Sequence, residues 1–177
     1  MRMKQKINIS HIYSSPEHHY FTRKKFDVGK AETFEHETLE LEPNRGIKGD
    51  RFEFSKYPIT FVSEEVIREV CKELDLEYLP NLFRRNIVLS GINLTQLIGK
   101  TFRIGNVEFE GLEHCAPCTW MNAVMKKGAY KLMSGRGGLR VKVLNKATLT
   151  QGDNTLLIED NFELLDPLEA LKKPRIP

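Results

Sequence analysis

Apolar and polar residues alternate over positions 6–13, with Ile7 and Ile9 set between Asn8 and Ser10, the period of a half-buried strand. Positions 139–144 alternate in the same way, and positions 37–42, 86–89 and 155–158 and a short β-branched run at 59–62 read as further strands. Positions 101–104 and 107–112 flank Gly105-Asn106, which predicts two strands joined by a tight hairpin. After Ser63 the period lengthens: Val66, Ile67, Val70, Cys71 and Leu74 fall on one helical face. Ser63 suits the N-cap of that helix, and Glu64 and Glu65 suit its first turn. Positions 94–98 predict a turn or short helix stopped by Gly99. Positions 119–125 predict a helix ended by Gly128, and 167–171 a short terminal one. Glycine-rich loops fall at 45–52 and 134–138, and a turn at 151–154. Strand follows strand more often than helix. The expected class is therefore α+β, with a β-barrel-like core of seven or eight short, mostly antiparallel strands and two or three helices.

A chain of 177 residues fits a single domain over 1–177, with positions 161–177 as a C-terminal tail. A hydrophobic share of 40% and a charged share of 29% predict a soluble protein, and no apolar run approaches the roughly 20 residues that cross a bilayer. No apolar stretch resembling a signal peptide follows the first residues, so the expected compartment is the cytoplasm, where thiols stay reduced. Three cysteines, an odd number, argue against a disulfide framework. A net charge of +3 is too small to imply a nucleic-acid partner, and no membrane partner is expected. The distribution of charge is more informative. No carboxylate occurs between Glu113 and Asp153, whereas Lys126, Lys127, Lys131, Arg136, Arg140, Lys142 and Lys146 do. A cationic stretch favours an anionic ligand and a lowered thiol pKa.

That stretch contains Cys115-Ala116-Pro117-Cys118. Four chemistries compete for it. A zinc site needs four ligands, and only Cys115, Cys118 and His114 cluster in sequence. A dithiol between strand and helix suits thiol–disulfide exchange, although no proline occurs between Pro117 and Pro167 to supply the cis-proline such sites place nearby. Two small apolar thiols also suit plain packing. Finally, Pro117 suits a first helical position, which would place Cys118 in the first turn as a stabilised thiolate able to bind a soft metal or carry sulfur.

The ordered motifs Gly46-Ile47-Lys48-Gly49-Asp50-Arg51, Arg84-Arg85-Asn86-Ile87-Val88-Leu89-Ser90-Gly91, Leu97-Ile98-Gly99-Lys100, Cys115-Ala116-Pro117-Cys118, Gly137-Gly138-Leu139-Arg140-Val141 and Gly152-Asp153 together resemble the MOSC domain, named for the C-terminal domain of molybdenum cofactor sulfurase. The resemblance runs from about residue 40 to 158. It implies a β-barrel-like core and binding of a molybdopterin-type molybdenum cofactor, or handling of metal-bound or persulfide sulfur. It implies that Cys118 is the key thiol and the metal ligand, and that N-hydroxylated compounds are reduced with electrons from a separate donor protein. A separate sulfur donor is implied if Cys118 carries sulfur instead. The chain departs from bacterial relatives at Phe52, where histidine often follows the Gly-Asp-Arg step.

An anionic pterin ligand needs cationic forks and amide partners. Arg84, Arg85 and Asn86 offer these, with Arg84 and Asn86 sharing one face if this is a strand. Lys48 and Arg51 sit in a glycine loop suited to an anion. Arg136 and Arg140 flank Gly137-Gly138, where the backbone can approach a phosphate closely. His114 is a candidate proton carrier for Cys118. Thr119 and Asn122 are candidate outer donors, and Trp120 a candidate wall. The remaining readings are a cofactor-free redox protein acting through Cys115 and Cys118, and a non-catalytic binding module for an anionic metabolite or nucleic acid, which the carboxylate-free stretch motivates.

Overall fold

The computed structural model describes residues 2–17 and 32–172. Its organising element is β1 (Met3–Ser14), long enough to pair with two partners. The first half of β1 runs antiparallel to β10 (Gly152–Ile158) and the second half antiparallel to β5 (Ile87–Ser90). Around the sheet from β10 come β6 (Thr101–Ile104), β7 (Val107–His114), β8 (Leu139–Val143), β4 (Ile59–Ser63) and β5. Because β10 and β5 both pair with β1, these seven strands close into a barrel. Among the described strands only β4 and β5 pair in parallel, joined through α1 (Glu64–Glu73). A two-residue strand, β2 (Phe34–Glu35), extends the end of β1, and a separate ladder joins β3 (Thr38–Leu41) to β9 (Ala147–Thr150).

A bulge makes the double pairing of β1 compatible with one core. The register shifts between Ile9 and His11, so Ile7, Ile9 and then Ile12 point inward. Strict alternation would have aimed His11 at the core; the extra residue turns it out, where it stacks on Tyr13. Inside the barrel Phe61, Phe102 and Phe109 pack with centroids 5.3–6.4 Å apart. Strands β4 and β5 are buried on both faces: Val62 and Val88 join a second cluster beneath α1. That explains why neither strand shows an apolar-in, polar-out alternation.

The predicted Ser63 cap is present, its hydroxyl accepting from the Val66 amide at 3.3 Å. Cys71 lies in the apolar cluster, as the helical period required. The helix expected at 167–171 is instead an irregular strap. Its carbonyls are taken by side chains: Asn93 Nδ2 donates to Asp166 O and Glu169 O at 2.7 and 3.0 Å, and Arg136 Nη1 to Leu168 O at 3.2 Å. The strap ends against Gly135, whose carbonyl accepts from the Leu171 amide at 2.9 Å. No helix among the described residues is long and apolar enough to cross a membrane.

Candidate functional site

Strand β7 ends at His114, and the chain then turns through Cys115–Cys118 toward α2 (Trp120–Val124). The turn is docked on the start of β8, with the Cys115 amide donating to Gly138 O at 2.8 Å. Only glycine fits there. A Cβ on Gly138 would lie 2.1 Å from Phe61 O, and one on Gly137 would lie 2.5 Å from Cys115 O. Arg85 ties the same corner: Nε donates to Gly137 O at 3.0 Å, Nη1 to Phe83 O at 3.1 Å, and Nη2 points to Cys115 O and Ala116 O at 3.4 Å.

Cys118 does not occupy a first helical turn. The helix starts at Trp120 with Thr119 as its cap, and Cys118 precedes both. A five-residue helix offers little dipole, so the positive field beside Cys118 comes from side-chain charge. The Cys118 side chain is exposed, whereas Cys115 is 2% exposed.

Both thiols border a cavity of about 210 Å³. Arg51, Arg84, Arg85 and Arg140 line it, with Phe52, Trp120 and Met121 as an apolar wall. Arg84 reaches the lining because it adopts a left-handed conformation, φ 56° and ψ 37°. Strand alternation therefore does not apply before Ile87; Arg84 and Arg85 line the cavity together, and Asn86 does not share a face with Arg84 there. Arg84 is held by Thr33 Oγ1, Ser15 Oγ and Glu17 O at 2.8–2.9 Å. Burial and then the Arg51 charge push its pKa down to about 10, which still leaves it cationic at neutral pH. Burial also pushes Arg51 down, and Asp50, whose Oδ1 lies 3.3 Å from Nη1, pulls it back up. Arg140 lies over the rings of Phe52 and Tyr57, 5.6 Å from each centroid, and its buried Nε has no acceptor among the described residues. Asp50 is the carboxylate paired within this arginine group, so the cavity carries a marked positive excess.

A model of the MOSC domain matches residues 18–155. This chain belongs to the MOSC domain family. The family is linked to molybdenum cofactor binding. A search of curated proteins returned no significant match. Among solved structures, the YUAD protein from Bacillus subtilis superposes with a TM-score of 0.70 at 17% identity, over 89% of this chain and 98% of that one. YiiM from Escherichia coli gives 0.62 at 16% identity, over 95% and 75% of the two chains. YiiM from Geobacillus stearothermophilus gives 0.63 at 15% identity, over 92% and 80%. At these identities the likeness is one of fold.

Within this MOSC domain the remaining residues singled out from sequence are placed as follows. Asn86 is 1% exposed and engaged on all sides: Oδ1 accepts from the Thr60 amide and hydroxyl at 3.0 Å, and Nδ2 donates to Tyr13 O and Asp50 Oδ1 at 3.1 and 3.3 Å. It joins β1, β4 and β5 rather than facing the cavity. Buried His114 accepts a hydrogen bond at Nε2 from the Gly137 amide at 3.1 Å, which orients the glycine corner. Arg136 turns away to the strap and to Leu132 O, and Lys48 and Thr119 are exposed outside the cavity lining. Asn122 Oδ1 caps α3 (Ala129–Leu132), accepting from the Gly128 and Tyr130 amides. Trp120 lines the cavity as the wall expected of it, and Phe52 is the part of that wall that the sequence reading did not assign. Its signal is the run Arg51-Phe52 with Tyr57 nearby, cations beside rings at the end of the glycine-rich loop.

Proposed function

We infer that this MOSC domain binds a molybdopterin-type molybdenum cofactor, with Cys118 as the sulfur ligand of the metal and the arginine cavity as the seat of its anionic part. The carrying observation is that one reachable thiol and four guanidinium groups meet at a single cavity, with a buried Arg140 Nε lacking an acceptor among the described residues. The donor set fits the group: thiolate is a soft ligand, and arginine forks suit phosphate oxygens. The bound cofactor would supply two-electron chemistry, such as reduction of N-hydroxylated compounds with electrons from a separate protein. The protein's share is distinct. Arg51 and Arg84 present positive charge fixed by Asp50, Ser15 and Thr33. Arg85 holds the thiol loop by its carbonyls. Phe52, Trp120 and Met121 exclude water along one wall, which strengthens the charges beside them.

Protein purified from a host that makes the cofactor is expected to carry molybdenum near one equivalent by elemental analysis, and Cys118→Ala to lose it. A wild-type protein without molybdenum but with persulfide on Cys118 would establish the sulfur-carrier form instead. A second reading rests on Cys115 and Cys118 bordering the same cavity: Cys118 would attack a substrate disulfide and Cys115 resolve it. It requires Cys115→Ser to abolish activity and a reversible disulfide in the isolated protein.

A further inference from the structure

The outer face of β7 and β8 carries two cross-strand pairs of opposite charge. Glu110 stands opposite Lys142, and Glu113 opposite Arg140. The first pair is closed, with Lys142 Nζ 2.7 Å from Glu110 Oε2. The second is open, although directly opposed side chains in an antiparallel ladder begin only about 5 Å apart. Arg140 leans away into the cavity and rests over Phe52 and Tyr57. Among the described residues its buried Nε meets no acceptor, and the buried Glu113 Oε1 meets no donor. A donor and an acceptor left buried and unmet on neighbouring side chains is a costly arrangement that either closure of the pair or arrival of a third group would relieve.

We propose that Arg140 is an arm with two seats, one over the aromatic wall where it serves an oxyanion in the cavity and one on Glu113, and that Glu113 sets the cavity's affinity by competing for it. The inference rests on reading the cavity as an anion site and adds a residue that does not line it. Phe52 and Tyr57 hold the arm in the cavity seat through the faces of their rings. Glu113 draws it back when the anion leaves. Charge loss alone does not reproduce this, because Glu110 is an equal charge on the same face with its own partner.

Inorganic phosphate titrated calorimetrically into the full chain, purified without cofactor, tests the proposal. Glu113→Gln is expected to tighten phosphate about two- to fivefold, the range a cross-strand ion pair is worth. Glu110→Gln is expected to leave it unchanged. In an Arg140→Met background Glu113→Gln should have no effect, the signature of coupling in a double-mutant cycle. Phe52→Leu, which removes one ring from the cavity seat, should weaken phosphate binding and keep its sensitivity to Glu113→Gln. Absence of phosphate binding by the wild type, equal tightening by Glu110→Gln, or additive effects of Glu113→Gln and Arg140→Met would each overturn it. Molybdenum content is read on a separate preparation, so failure of the cofactor reading and failure of the arm are distinguishable.

Discussion

At the scale of single residues, backbone conformation decides what reaches the cavity. Arg84 lines it because a left-handed φ breaks the alternation that the sequence 84–89 suggests. No residue type announces that conformation in an arginine, so the sequence pointed to the pair of arginines but not to their shared face. Asn86 misled for a related reason: an amide beside two arginines reads as a ligand donor, yet every polar atom of its side chain is consumed in joining three strands. Glycines were more legible. Gly138→Ala places a Cβ 2.1 Å from Phe61 O at φ 122° and is expected to cost roughly 3 kcal/mol or more. Gly99→Ala, with a positive φ but open space around its Cβ, should cost only about 1–2 kcal/mol. Thermal denaturation of the two variants checks the contrast; equal losses would mean that close approach is unimportant at the thiol corner.

At the scale of elements, periodicity revealed the strands and helix that bury a face, and missed those that do not. Strand β2 is two residues long, β9 buries only Leu149 fully, and α3 spans four residues, all too short for a period to register. The strap at 167–171 is not the short helix expected there, because Asn93 and Arg136 compete for its carbonyls. Asn93 also caps a short 3-10 turn (Leu94–Leu97), its Oδ1 accepting from the Thr95 amide at 3.0 Å. Asn93→Ala loses the cap and both strap bonds, an expected loss of about 2 kcal/mol or more, or roughly 4–8 °C in Tm. The 45–53 loop gives a pH prediction. The Gly49 amide and then the Arg45 guanidinium, bonded to Glu53 at 2.7 and 2.6 Å, hold the Glu53 carboxyl below its ordinary value. Its contribution is present above the unfolded glutamate pKa of about 4.3 and is lost as pH falls through the lower folded value. Glu53→Gln should therefore flatten the fall in denaturant stability below about pH 4.3; an unchanged slope would contradict it.

At the scale of the whole molecule, the barrel converts a diffuse sequence property into a local one. The carboxylate-free stretch from 114 to 152 supplies both thiols and Arg140, but the other three cavity arginines come from 51, 84 and 85. Closure of β1 on both β10 and β5, and the parallel β4–β5 pair, bring those segments to one corner. The resemblance drawn from ordered motifs named the family; which of the basic residues converge depended on three-dimensional register and was not legible. The field of four guanidinium groups predicts that a negatively charged thiol reagent modifies Cys118 faster than a neutral one of equal size, with the advantage shrinking as salt rises. Equal rates at low ionic strength would show that the field does not reach the sulfur.

The most direct measurement is the molybdenum-to-protein ratio of wild type and Cys118→Ala, purified side by side from a cofactor-producing host. Near-stoichiometric metal in the wild type and its loss in the variant is the predicted result. Metal absent from the wild type, or retained undiminished without the Cys118 sulfur, would contradict the account.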